Sequence, residues 1–146
     1  MSNAGIFFRI IALSVLLINS GCAHCNASEQ EEMYTLSSAL TKLTSAVEAK
    51  TLFKAAPPEM KDMDLINLST AHDPRLKEPF ADYILKATMV DGHGVVLVCD
   101  QSGRKGLLED GGCSSVIDRH WWRDQPDHPC RVSTTICLKG SSSKVE

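Results

Sequence analysis

Three consecutive segments decide the predicted fold: Ile84-Leu85-Lys86-Ala87-Thr88-Met89-Val90, Asp91-Gly92-His93-Gly94 and Val95-Val96-Leu97-Val98-Cys99. The first and last segments are short, apolar and rich in β-branched residues, which is typical of strands. The glycine-rich segment between them favours a turn. A second turn at 100–104 and a third strand at 106–109 follow. The sequence therefore predicts a three-stranded antiparallel meander.

A fourth strand is predicted at 130–139, where Val132, Ile136 and Leu138 alternate with polar residues. Upstream, apolar residues recur at steps of three and four and predict an amphipathic helix over 29–54, with Ser28 and Glu31 as its capping box. Those apolar residues are Met33, Leu36, Leu40, Leu43 and Val47, while Ser37, Thr44 and Glu48 are assigned to the other faces. One or two short helices are expected between Pro58 and Pro79. The fold class is α+β, a helix packed on a sheet of about four strands.

Four cysteines lie within or after the predicted sheet: Cys99, Cys113, Cys130 and Cys137. Cys130 and Cys137 would lie roughly 23 Å apart on one extended strand, too far for a disulfide. We favour the pairs Cys113–Cys130 and Cys99–Cys137, because the first would close the tryptophan-bearing loop at its base. The pairs Cys99–Cys130 and Cys113–Cys137 remain the alternative.

The N-terminal region predicts export. Residues 6–18 are predominantly apolar with Arg9 as the single charge, and the run is too short to span a bilayer as a helix. Ser20-Gly21-Cys22 resembles the lipobox of bacterial lipoproteins, although Asn19 stands where that motif has an apolar residue. The resemblance implies a lipid on Cys22 and a periplasmic protein anchored to a membrane, with the outer membrane favoured. The alternative is cleavage after Ala27 and a soluble periplasmic or secreted protein.

The predicted organisation is a signal peptide at 1–21 (alternatively 1–27), a tether and helix cap at 22–32, a single α+β domain at 33–139 and a flexible tail at 140–146. Lipidation of Cys22 would leave Cys25 for an intermolecular disulfide, so a Cys25-linked dimer is one hypothesis. The 146-residue chain carries a net charge of −3, which provides no field that attracts nucleic acid. Membrane contact is expected only through the N-terminal lipid.

The run Asp118-Arg119-His120-Trp121-Trp122-Arg123 holds both tryptophans. Tryptophan and arginine dominate binding hot spots, so residues 119–123 are the predicted partner-binding site. One tryptophan is expected to point inward and the other partly outward. The partner would be another envelope protein, either in a secretion, pilus or conjugation assembly or as the target of an inhibitor or immunity protein.

The alternative function is a small periplasmic hydrolase or ligand-binding protein. It would use a cleft beside the tryptophans, lined by His120 and by Asp118 or Asp124. Glu109 and Asp110 are adjacent carboxylates, but neighbouring strand residues face opposite ways. His93 is expected to be exposed at a hairpin tip and His128 on the surface. The sequence predicts no catalytic residue, metal or cofactor.

Overall fold

A computed structural model describes residues 23–114, 117–122 and 127–137, with the side chains of 23–26 excepted. The predicted signal peptide, Cys22, Arg123, Asp124, the tail at 140–146 and the Cys25 side chain lie outside this description. The chain divides into two units between Tyr34 and Thr35, and the fold below is that of the second unit.

The predicted helix is present as α1, Ala23–Leu52. Ser28 lies inside this helix, so the predicted capping box does not begin it. A short helix α2, Asp62–Ser69, and a 3-10 helix, Pro74–Phe80, follow. Proline at the first position of the 3-10 helix suits its start, because that residue needs no backbone donor there.

The four strands of the antiparallel sheet lie in the order β1-β2-β3-β4. They are β1 (Ile84–Val90), β2 (His93–Cys99), β3 (Gly106–Gly111) and β4 (Arg119–His120). The predicted meander and the α+β class are confirmed. The fourth strand was placed wrongly, because Arg131–Cys137 has no strand structure and Arg119–His120 takes the place beside β3.

Local chemistry sets both hairpin turns. Asp91 and Gly92 adopt φ of 51° and 84° between the paired residues Val90 and His93, as a two-residue turn with left-handed backbone requires. In the second turn Asp100 Oδ1 accepts the backbone N–H groups of Arg104 and Lys105, each at 2.9 Å. The Ser102 hydroxyl and these N–H groups lower the pKa of Asp100.

Both faces of the two central strands are covered. Leu40, Leu43 and Val47 of α1 are fully buried, and Val47 lies against Gly94 of β2. The chain after Cys130 covers the opposite face, where Ser133 N–H donates to Glu109 Oε1 at 2.6 Å. All of β3 is therefore buried. This two-sided cover explains why β2 is a continuous apolar run rather than an alternating one.

The disulfides are Cys99–Cys130 and Cys113–Cys137, so the favoured pairing was wrong and the alternative is correct. Cys99 pairs with Gly106, at the start of β3, and Pro129 bridges Lys105 at that same end. Cys113 follows the far end of β3. A Cys113–Cys130 bond would have to span the length of β3, roughly 17 Å, whereas a disulfide tolerates Cα atoms about 4.4–6.8 Å apart.

Candidate partner-binding edge of the sheet

The strand position outside β3 is filled by two separate segments of chain. Arg119 and His120 pair with Glu109 and Leu108, and Trp121 N–H donates to Leu107 C=O at 2.7 Å. The second segment is 128–130. There Gly106 N–H donates to His128 C=O at 2.7 Å and Cys130 N–H donates to Arg104 C=O at 3.0 Å. Residues 119–121 and 128–130 therefore both lie along the outer side of β3.

A ring stack joins these two segments. The rings of Trp121 and His128 lie 3.4 Å apart between centroids and are tilted by 6°. Lys105 Nζ and Asp127 Oδ1 form an ion pair at 2.6 Å on the same side. The predicted closure by a Cys113–Cys130 disulfide is thus replaced by a stack and strand pairing. We call Arg119–Trp122 together with His128 the Trp edge.

The Trp edge contains four of the five predicted partner-binding residues. Arg119 and His120 are exposed. Trp121 and Trp122 are both half-buried. Trp122 has a tilted ring contact with Tyr83 at 6.2 Å, so the two rings pack on different neighbours. The expectation that one tryptophan points inward and the other partly outward stays a prediction.

Glu109 lies buried under the Trp edge. Its Oε1 accepts the Ser133 N–H, but its Oε2 has no hydrogen-bond partner and lies 4.0 Å from Arg119 Nε. Burial raises the pKa of this carboxyl, while the Ser133 N–H and the Arg119 charge act in the opposite direction. Arg119 is thus the nearest cation to a buried acid and contributes to the edge both a charge and a link to the core.

Asp110 occupies the opposite face of β3, toward α1, where it is 3% exposed. Burial raises its pKa to about 7; the Thr44 hydroxyl opposes this change and the Asp118 charge adds to it. Thr44 is near enough to lower the pKa, yet neither its Oγ1 nor Asp110 Oδ1 has a partner in good hydrogen-bond geometry. The expectation that Glu109 and Asp110 diverge is confirmed by these separate partners.

The hydrolase hypothesis called for a cleft lined by His120 and Asp118. Asp118 Oδ2 instead accepts the Gly111 N–H at 2.8 Å, beside the Cys113–Cys137 disulfide. The pocket next to the Trp edge, of about 370 Å³, is lined by 128, 129 and 131–134. Neither His120 nor Asp118 contributes to it, so the two residues are not brought together around this pocket.

A second polar centre was missed in the sequence. Glu48 of α1 is 8% exposed, and its Oε1 lies 2.7 Å from His93 Nδ1. Its Oε2 accepts the Gly94 N–H at 2.6 Å and the Thr51 hydroxyl at 3.3 Å. His93 is consequently half-buried and held by a carboxylate, which corrects its predicted exposure at the hairpin tip.

Two glycines make room for this carboxylate. Gly112 N–H donates to Gly94 C=O at 2.8 Å, and a Cβ on Gly112 would overlap Glu48 Cβ, Cγ and Oε2. The stripe that carries Glu48 also includes the buried polar residues Ser37, Thr44 and Thr51. These four residues follow one another at steps of seven, four and three, which places them on one face of a helix. This spacing was the signal in the sequence that the polar side chains share one buried face.

No family model, no curated protein and no solved structure matches this chain. Within the described part of the chain, no cluster of His, Cys, Asp and Glu side chains could hold a metal ion. No described helix is long and apolar enough to cross a membrane. The two disulfides indicate that the domain matures in an oxidising compartment outside the cytoplasm.

Proposed function

We propose that this protein is a non-enzymatic cell-envelope lipoprotein that binds another envelope protein through the Trp edge. The observation that carries the proposal is the outer strand position beside β3, where 119–121 and 128–130 are joined by the Trp121–His128 stack. Strand pairing and stacking order these residues before any partner arrives. A pre-ordered surface loses less conformational entropy on binding, which raises its affinity.

The composition of the Trp edge supports the same proposal. Two half-buried tryptophans lie beside an exposed arginine and an exposed histidine. Aromatic residues and arginine are enriched at the energetic centre of protein interfaces. β4 is also the last strand in the sheet order, so no further strand pairs with its outer side among the described residues. Such an edge is accessible to a partner from the side as well as from the face.

Recovery of a partner from envelope extracts tests the proposal. His120→Glu should abolish recovery, because it places an unmatched charge in the centre of the surface without touching the buried core. His72→Glu is the matched control, since His72 is also an exposed histidine but lies outside the Trp edge. Trp122→Ala should reduce recovery as well. Equal recovery with all of these variants would contradict the assignment.

The lipid anchor on Cys22 is proposed from the lipobox resemblance alone. The intact mass of the mature protein tests it separately from partner binding. A diacylglyceryl adduct on a chain that begins at Cys22 is the expected result. An unmodified chain beginning at Ser28 would instead support cleavage after Ala27 and a soluble protein.

A further inference from the structure

A groove of about 960 Å³ lies on another part of the domain, away from the residues of the Trp edge. One wall is the end of α1 and the segment after it, including Leu52, Lys54 and Pro57. The other wall is the β1–β2 hairpin, including Met89 and Asp91. His93, held by Glu48, also lines it. The walls are therefore fixed by the contact between His93 Nδ1 and Glu48 Oε1 and by a tight hairpin.

Protruding apolar side chains lie directly beside this concave surface. Phe53 is 83% exposed and Leu52 is 56% exposed, both at the end of α1. Large apolar side chains with this exposure contribute little to the fold of their own chain. Because the protruding side chains and the groove belong to one surface, two copies of the chain related by a two-fold axis can each insert a side chain into the groove of the other.

The charges of the groove are also complementary to each other. Lys54 lies on one wall and Asp91 on the other, and neither has an ion-pair partner among the described residues. Across a two-fold axis the Lys54 of one copy would meet the Asp91 of the second, and the reverse contact would form as well. A ligand of a single charge would be matched by only one of these groups.

We infer that the groove between Pro57 and the β1–β2 hairpin is a homodimer interface, in which Phe53 of each copy enters the groove of the other and Lys54 pairs with Asp91. The contact is isologous and closed, so it forms dimers and not filaments. It is independent of the Trp edge and of any disulfide through Cys25. The inference thus goes beyond the proposed partner binding, and either can fail without the other.

Sedimentation velocity over the micromolar range provides the test. It uses the mature chain with Cys22→Ser and Cys25→Ser, so that neither a lipid nor an N-terminal disulfide contributes. The expected result is a concentration-dependent dimer. Phe53→Ser, Lys54→Glu and Asp91→Lys should each weaken dimerisation by about tenfold or more, since each substitution alters both symmetric contacts at once. Lys42→Glu and Asp82→Lys are matched controls at exposed positions, and both should remain dimeric.

Mixing the two charge-reversed variants gives the sharpest discrimination. Lys54→Glu and Asp91→Lys each create two repulsive contacts in their own homodimer, but one copy of each variant forms two attractive contacts. The mixture should therefore regain a dimer containing one copy of each. A wild-type chain that stays monomeric throughout the range would overturn the inference. So would a dimer that survives all three groove substitutions, or a mixture that stays monomeric. A cooperative thermal unfolding transition for each variant would confirm that it is folded.

Discussion

Asp110 contributes to a stability that falls as the pH rises, and Asp110→Asn should remove that contribution. The folded-state pKa is raised from 3.8 to about 7. Between these values the folded protein holds a proton that the unfolded chain has released, so stability decreases with pH across this window. Below pH 3.8 Asp110 is protonated in both the folded and the unfolded protein. Its burial then carries no electrostatic penalty.

The size of the effect follows from the difference between the two pKa values. Each pKa unit corresponds to about 1.4 kcal/mol. Above neutral pH, ionisation of Asp110 should therefore lower the free energy of unfolding by roughly 4 kcal/mol. Asparagine has the same shape but does not ionise. Asp110→Asn should therefore be more stable than the wild type by up to about 4 kcal/mol near pH 8, and nearly equal to it near pH 4.

Urea unfolding at the two pH values, with the disulfides intact, measures this difference. Asp82→Asn is the control, because Asp82 is exposed and its substitution should change stability at neither pH. An equal advantage of Asp110→Asn at both pH values would refute an ionisation effect. A wild type that becomes more stable from about pH 4 to about pH 8, relative to Asp110→Asn, would refute its sign.

Four further variants test the packing around Glu48, the left-handed turn at Gly92 and the disulfides. Gly112→Ala should destabilise the domain by about 1–3 kcal/mol in urea unfolding, because its Cβ overlaps Glu48. Gly92→Ala, where no atom lies within 4 Å, should cost only the left-handed backbone strain of about 1–2 kcal/mol; a larger loss there than at Gly112 would contradict this account. Glu48→Ala should lower the free energy of unfolding by about 2–3 kcal/mol, since the buried Gly94 N–H loses its acceptor. Thermal unfolding unchanged by this substitution would show that the carboxylate is not structural. Removing both Cys113 and Cys137 as serines should cost about 3–4 kcal/mol in chain entropy and leave the Cys99–Cys130 peptide intact in non-reducing digests; a Cys99–Cys137 peptide from the wild type would contradict the assigned pairing.

Local chemistry determined the parts of the fold that the sequence predicted well. Asp91-Gly92 and the Asp100 turn specify their hairpins through neighbouring residues, so the meander was predictable. The burial of Leu40, Leu43 and Val47 followed from helical spacing. These features need no knowledge of distant segments, because turn geometry and amphipathic period are properties of a few consecutive residues.

The errors arose where distant segments meet. Alternation at Val132 and Ile136 imitates a strand, but Arg119–Trp121 and His128–Cys130 already occupy the line beside β3. The chain after Cys130 covers the sheet face instead, and this path carries Cys137 to Cys113. The Trp121–His128 stack depends on the same long-range pairing. Glu48 was assigned to the other helix faces because its burial depends on distant glycines, Gly94 in β2 and Gly112 just after β3.

Photo-crosslinking in intact cells tests the central claim, that the Trp edge binds an envelope partner, most directly. A photoreactive phenylalanine analogue in place of His120 should give one discrete adduct larger than the protein itself. The same analogue in place of the exposed His72 should give none. Absence of an adduct from position 120, or the same adduct from both positions, would contradict the claim.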